Sequence, residues 1–294
     1  MDEIAIVGSH QEEPNGEVNN IDDNNNEDAE DQIEIVNIRP QGARMSVDSD
    51  ALRYNMKHKR RGHCVIFNHS HFDQHTGLGE RKGTEKDCNQ AKKLFTNLGF
   101  DVDVKNNLKV VEIYKKITDL AKHEDHSECD ALAVLFMTHG NQDILWAYDM
   151  LLDPKTVYEL FIANNCPTLA GKPKLFFIQA CRGDKVDAGS MAYDQTDSGN
   201  SACKISNYSD FLICWSTIPG HLSFRNPDEG SCFIEWLVHV LTNYRENEDL
   251  LSMMTIVNCY VNRNFESNCP NNLAKHRMKQ MPCQYSTLTR KIYL

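Results

Sequence analysis

Leu175-Phe-Phe-Ile-Gln-Ala-Cys181-Arg-Gly-Asp184 is the stretch that decides how the rest of this 294-residue chain is read. Leu175 to Ile178 are four consecutive apolar residues, which suit a strand buried on both faces. Gln179, Cys181, Arg182 and Gly183 then crowd polarity and turn chemistry onto the C-terminal end. In an open α/β sheet, ligands bind in the crevice beyond the carboxyl ends of the strands. The run therefore reads as a core strand that ends by delivering a thiol.

A second strand ends the same way. Ala131-Leu-Ala-Val-Leu-Phe-Met-Thr-His139-Gly140 is apolar up to a histidine and a glycine, with His139 placed 42 residues before Cys181. Two parallel strands joined by a right-handed crossover bring such ends to one edge, so a Cys-His dyad needs no sequence adjacency. Imidazole can take the thiol proton during attack and later protonate the leaving amine. The backbone N–H groups of Gly140 and Cys181 are the candidates for an oxyanion hole, because glycine lets the backbone approach closely. Taken singly, a strand-end Cys is most often an inert core residue and a strand-end His a satisfied polar group. Their shared context reverses that reading.

The surrounding elements alternate. Gly62 to Asn68 and Phe100 to Val104 read as strands, and Thr84 to Leu98 has helical apolar spacing ended by Gly99. Residues 108–122 and 155–163 are predicted helices, with a short segment at Trp146 to Tyr148 between them and the His139 strand falling after the first. Beyond Cys181, residues 184–203 are rich in Asp, Gly and Ser and read as an exposed connector. Asp210 to Ser216 is a further core strand, Phe233 to Leu241 and Ser252 to Phe265 are helices, and Gln284 to Leu294 is an alternating edge or interface strand. This order predicts an α/β fold with a mostly parallel sheet and helices on both faces.

Charge is unevenly placed. Residues 1–50 hold fourteen Asp or Glu against two Arg, a net charge of −12, which leaves the remainder near neutral at +1. This first segment, asparagine-rich and free of aromatics, is expected to be disordered because it cannot bury enough surface to offset its ordering entropy. A near-neutral body argues against nucleic acid as the main ligand. No stretch approaches the roughly 20 apolar residues of a membrane span. The acidic start is unlike a signal peptide, so a cytoplasmic protein without membrane attachment is expected. Eleven cysteines with no C-x-x-C pair fit free thiols, with Cys64, Cys214 and Cys259 expected in the core. His69, His71 and His75 cluster with an H-x-H-x3-H spacing that can reach a zinc ion, but no nearby cysteine or carboxylate set completes a site. No metal and no cofactor are called for.

The run Gln-Ala-Cys-Arg-Gly, with a histidine upstream, is the local signature of the caspases. Tyr54-Asn-Met56, Lys172 to Gly183, Ser223-Phe-Arg-Asn226 and Gln280-Met-Pro-Cys283 occur in the order and spacing of executioner caspases, and the resemblance covers about residues 50–294. It implies a caspase-like three-layer sandwich with a six-stranded sheet. An acidic prodomain of residues 1–50 would precede a large (p20-like) catalytic subunit of residues 51–183. A cleavable linker of residues 184–203 would separate this from a small (p10-like) subunit of residues 204–294.

The implied function is a thiol protease that cleaves proteins after aspartate, an effector of apoptosis made as a zymogen. The resemblance places Arg81, Gln179 and Arg225 in the pocket for the substrate aspartate (P1). Arginine suits that role, since its charged fork grips a carboxylate in a way lysine cannot match. Ser223 and Arg225 would add main-chain hydrogen bonds to an extended peptide, and Asn226 would meet an acidic side chain at P4. Two positions depart from the pattern. Phe224 stands where tryptophan is usual and Cys232 where executioner enzymes usually carry tryptophan, which leaves the P2 to P4 preference open.

For processing, Asp194-Gln-Thr-Asp197 before Ser198 resembles an activation site, Asp187 is a second candidate, and Asp48 or Asp50 would release the tail. A tail of about 50 residues is too short for the folded recruitment domain of initiator caspases, so activation by an upstream initiator is expected. The family also brings autocatalytic cleavage, a homodimer of large and small subunit pairs, and inhibitor-of-apoptosis proteins as candidate partners. A catalytically silent relative that acts by binding is the alternative. The intact set of His139, Gly140, Cys181, Arg81 and Arg225 argues against it.

Overall fold

The strand that ends at the thiol runs between two others in the middle of a six-stranded sheet. The structure, a computed structural model, describes residues 47, 48, 50–187 and 206–294. In chain order the elements are β1 (His63–Asn68), α1 (Thr84–Asn97), β2 (Asp101–Asn106), α2 (Val110–Lys122), β3 (Leu132–Met137), three short strands β4 (Gly140–Asn141), β5 (Ile144–Trp146) and β6 (Leu151–Leu152), α3 (Pro154–Glu159), β7 (Lys174–Gln179), β8 (Phe211–Trp215), α4 (Cys232–Tyr244), α5 (Leu250–Asn264) and β9 (Cys283–Ser286). The main sheet has the order β2-β1-β3-β7-β8-β9. Its first five strands are parallel and β9 is antiparallel.

Alternation along the strands divides the core in two. Ile66, Leu135, Phe177 and Cys214 point to one face, where α1, α4 and α5 cover them. Phe67, Phe136, Phe176 and Trp215 point to the other, where α2 and the region of α3 cover them. Every position of β3 and β7 is buried, as their uninterrupted apolar runs predict for strands covered on both sides. Burial of each large side chain contributes about 1.5–3 kcal/mol. The β2 edge instead alternates Asp101, Asp103 and Lys105 with valine, charges that discourage pairing with another chain.

The predicted elements are all present, with three differences. The C-terminal strand stops at Ser286, because Thr289 turns inward to bond Asp210 and Tyr54: its Oγ1 donates to Asp210 Oδ1 at 2.8 Å and its N–H to Tyr54 Oη at 2.9 Å. The helix predicted over 155–163 is shorter, Pro154–Glu159, starting from a proline behind the Asp153 cap. Cys64 and Cys214 are buried, but Cys259 is exposed. On α5 the buried face is Leu250, Met253, Met254, Val257 and Val261, and position 259 falls off that stripe. No helix among the described residues is long and apolar enough to cross a membrane.

The acidic segment to residue 46, and Asp197 with most of the predicted linker, lie outside the described residues. The first linker residues are paired: Lys185 N–H donates to the Gly220 carbonyl at 3.0 Å, and Lys279 N–H to the Asp187 carbonyl at 2.8 Å.

Candidate active site

Register sets the meeting of His139 and Cys181. Met137 on β3 is level with Gln179 on β7, so each reactive residue lies two positions beyond a matched pair at the carboxyl edge. Thr138 N–H donates to the Gln179 carbonyl at 3.1 Å, which carries the pairing one residue past the strand. Gly140 packs against the backbone of Cys181: a β-carbon there would lie 2.6 Å from the Cys181 carbonyl oxygen and 3.1 Å from the Ala180 Cβ. A side chain at 140 would push the two strand ends apart. Gly183 has the same constraint, since a β-carbon would stand 2.3 Å from the Gly220 carbonyl oxygen. The residue between is anchored, with the buried Arg182 guanidinium stacked over Trp215 at 4.5 Å and donating to Tyr285 Oη at 3.3 Å.

The imidazole is held from one side. His139 Nε2 lies 3.0 Å from the Gly79 carbonyl. A carbonyl only accepts, so Nε2 carries the hydrogen and Nδ1 keeps its lone pair. Burial lowers the His139 pKa below the usual histidine value, the Gly79 bond opposes that, and the charges of Arg81 and Arg225 lower it further. Phe72 packs on the ring at 4.9 Å. No hydrogen bond joins His139 to Cys181. The thiol instead rests on Ser223: its Sγ donates to the Ser223 carbonyl at 3.4 Å and accepts the Ser223 N–H at 3.3 Å.

Arg81, Gln179 and Arg225 come from three parts of the chain to the same region. Arg81 is 1 % exposed, and its Nη1 donates to the His69 carbonyl and to Thr84 Oγ1, both at 2.8 Å. Its Nε–H has no partner among the described residues. Burial pulls the Arg81 pKa down to about 9, and Arg225 pushes the same way, so the group stays charged at neutral pH. Arg225 spends its Nε–H on the Lys82 carbonyl at 2.8 Å. Gln179 Nε2 donates to Ser223 Oγ at 2.8 Å and leaves the buried Oε1 unpartnered. A serine hydroxyl can also donate, so the amide can turn to present Nε2 to an incoming acid. Two cations, one of them buried with an unmet donor that alone costs about 1–3 kcal/mol, suit a carboxylate.

One member of this region had no signal in the motifs. Asp87, on the first turn of α1, is 1 % exposed, accepts the Ser231 N–H at 2.8 Å and acts electrically on both arginines. Burial raises its pKa to about 6, against the opposing pull of the Ser231 bond and the arginines. In sequence it reads only as an acid favoured by a helix N-terminus. Gln280 was visible in a motif but without a role. Its Oε1 accepts the Phe224 N–H at 2.7 Å and its Nε2 donates to the Ser216 carbonyl at 2.8 Å, which fixes the segment 223–226 beside β8.

Phe224 packs against Phe265 in a tilted pair with centroids 5.5 Å apart, and Asn226 is exposed at the outer end of the segment. Among the described residues Arg225 has neither its backbone N–H nor its carbonyl paired. His69, His71 and His75 do not converge. His69 Nε2 is on the Leu108 carbonyl, His71 on Ser70 Oγ, and His75 on Asp73 and the Asp149 carbonyl.

Comparison with known proteins agrees with this fold. The caspase domain model matches residues 61–293. Caspase-1 of Spodoptera frugiperda is 46 % identical over 250 residues, 84 % of this chain and 83 % of that protein. Caspase-1 of Drosophila melanogaster is 43 % identical over 252 residues, 84 % of this chain and 77 % of its own length. The crystal structure of the Spodoptera enzyme superposes with a TM-score of 0.79 at 44 % identity, covering 85 % of this chain and 98 % of that one.

Proposed function

The chain belongs to the caspase family and is an aspartate-specific cysteine endopeptidase, and from that premise we propose that it is an effector of apoptosis held as a zymogen, with Cys181 as nucleophile and His139 as its base. The Cys181 sulfur attacks the main-chain carbonyl carbon of the substrate aspartate while its proton passes to His139 Nδ1. The oxyanion falls to the N–H groups of Gly140 and Cys181. Collapse of the tetrahedral adduct expels the amine with the proton from His139, and water then hydrolyses the thioester and restores the thiol. The tautomer imposed by Gly79 supports this assignment, because it leaves the lone pair on the nitrogen that must act as base.

The observation that carries the aspartate pocket is the buried, unpartnered Arg81 Nε–H beside Arg225. A substrate carboxylate satisfies the donor and lowers the repulsion between the arginines at once. Ser223 and Arg225 offer main-chain edges for strand addition, and a bound peptide displaces the thiol from Ser223. Kinetics on tetrapeptides that differ only in Asp, Asn or Glu at P1 test the pocket. Asp should be cleaved far faster than either, and equal rates would overturn it.

Cleavage after Asp197 by an upstream initiator caspase is the proposed activating step, separating residues 51–183 from residues 204–294. The Asp187 carbonyl is already paired with Lys279, so a cut there must first peel this contact. Asp48 and Asp50 are both exposed, and the Ala51 N–H donates to the Asp48 carbonyl at 3.1 Å, so this bond must open before the chain is cut after either to release the tail. The antiparallel edge strand β9, with Tyr285 half-exposed, is the proposed seam of a homodimer. Intact-mass measurement of the processed protein, with Asp197→Ala as comparison, tests the order of cuts. Activation of that variant with no change in rate would reject Asp197.

A further inference from the structure

Beyond the P1 pocket the cleft opens into a groove of about 650 Å³. Phe224, Phe265, Cys232 and Trp236 make its apolar walls. Trp236 is stacked flat on Tyr260, with centroids 4.7 Å apart and planes 5° apart, so this wall is set before a ligand arrives. The charges along the groove are Glu229, Glu235 and Glu266 against Arg225 alone, and Arg225 is turned to Lys82. Glu266 has a loose partner in Arg277 at 3.5 Å.

Asn226 sits where this groove meets the substrate edge, and both ends of its amide are already engaged. Oδ1 accepts the Asp228 N–H at 2.8 Å and Nδ2 donates to Glu229 Oε2 at 3.0 Å. Reciprocal backbone bonds between Asn226 and Gly230, at 2.8 and 2.9 Å, close the turn that holds Glu229 in this place. An acidic side chain arriving at Asn226 would have to share the amide with the Glu229 carboxylate and lie beside that like charge. A lysine or arginine meets the opposite conditions, since its aliphatic stem lies on apolar walls while its head reaches carboxylates.

Resting on the aspartate-cleaving reading with Asn226 at the fourth subsite, we infer that Glu229 is a specificity-determining residue that turns this groove against acidic P4 side chains and toward basic ones. Peptides with Asp at P1 and Lys or Arg at P4 are the preferred class. One consequence concerns the chain's own linker. Asp194-Gln-Thr-Asp197 carries Asp at P4, so the enzyme is a poor processor of its own activation site, and a protease with a different outer subsite must make that cut.

The test uses the processed enzyme and three fluorogenic tetrapeptides with the same P3, P2 and P1 Asp but Asp, Ala or Lys at P4. Wild type should cleave the Lys peptide about tenfold faster in kcat/KM than the Asp peptide, with Ala between. Glu229→Lys should invert the order, and Glu229→Gln should level it. An Asp-P4 preference in wild type, equal cleavage of all three, or a Lys preference that survives Glu229→Lys would each overturn the inference while leaving P1 specificity intact. If none of the three were cleaved, the aspartate reading itself would fall, and this inference with it.

Discussion

The inner pocket and the outer groove stand side by side on one segment, residues 223–226, yet they are built on opposite terms. The inner pocket is buried and cationic, with Arg81 almost wholly enclosed and its Nε–H unmet. The outer groove is open and lined by three glutamates, one of which, Glu229, already holds the Asn226 amide. A charge in the first acts at low effective dielectric and dominates recognition. A charge in the second is screened by water and biases choice without deciding whether cleavage occurs. On the proposed assignment of the two regions, strict demand at P1 with adjustable choice upstream follows from that contrast.

The largest break in the comparison removes the chemistry both regions serve. Cys181→Ala should lower cleavage of an aspartyl peptide by at least about 10⁴-fold, measured with an unchanged melting temperature to show that the fold survives. Residual turnover near wild type would remove the thiol from the mechanism.

Arg81→Gln comes next and strikes only the inner pocket. We expect kcat/KM for Asp-P1 peptides to fall about 10²–10³-fold, in the range found when one partner of a buried charge pair is lost, mainly through KM. The ratio between Asp and Asn at P1 should shrink with it. A variant that kept that ratio would show that the selectivity comes from elsewhere.

Asp87→Asn sharpens the inner side through pH. The folded protein holds the Asp87 proton up to about pH 6, above the ordinary carboxylate value of 3.8. Folding thus takes up a proton between these values, and the Asp87 contribution to stability is greatest below about pH 4 and declines as pH rises through 6. Asparagine avoids that loss, so the variant should be about 1–3 kcal/mol more stable at pH 7, read as a higher Tm. It should also have roughly tenfold higher KM, because the carboxylate no longer supports the two arginines. In wild type, kcat/KM should fall below about pH 6 as Asp87 is protonated. In the variant only the limb set by His139 should remain. An identical acid limb in both proteins would rule out this role.

The smallest effect belongs to the seam between the regions. Phe224→Ala removes the ring contact with Phe265 and should cost about fivefold in kcat/KM, as an aromatic pair is worth about 0.5–1.5 kcal/mol, with P1 selectivity untouched. A loss as large as that of Arg81→Gln would merge the two regions into one.

Much of the fold was open to reading because its strands are covered on both sides. The runs before His139 and Cys181 are apolar without interruption, and that pattern locates β3 and β7 without any contact being known. The tail of the chain was harder. An alternating pattern over 284–294 predicts a long strand, but Thr289 is drawn into a hydrogen-bonded group with Tyr54 and Asp210, partners 235 and 79 positions away. Cys259 was misjudged for a related reason, since an apolar run on a helix does not say which side faces in.

The sequence by itself determined the thiol, the histidine and the glycine at the sheet edge, because strand periodicity and the chemistry of Cys, His and Gly are local properties. It also supplied the arginines, through their motifs. Only the tertiary structure decided the electrostatics around them. Asp87 comes to the pocket across 144 positions to Ser231, and Glu229 takes the Asn226 amide through the geometry of one turn. Burial and charge separation set the strength of such contacts, and both are distances between folded segments rather than properties of any residue in the chain.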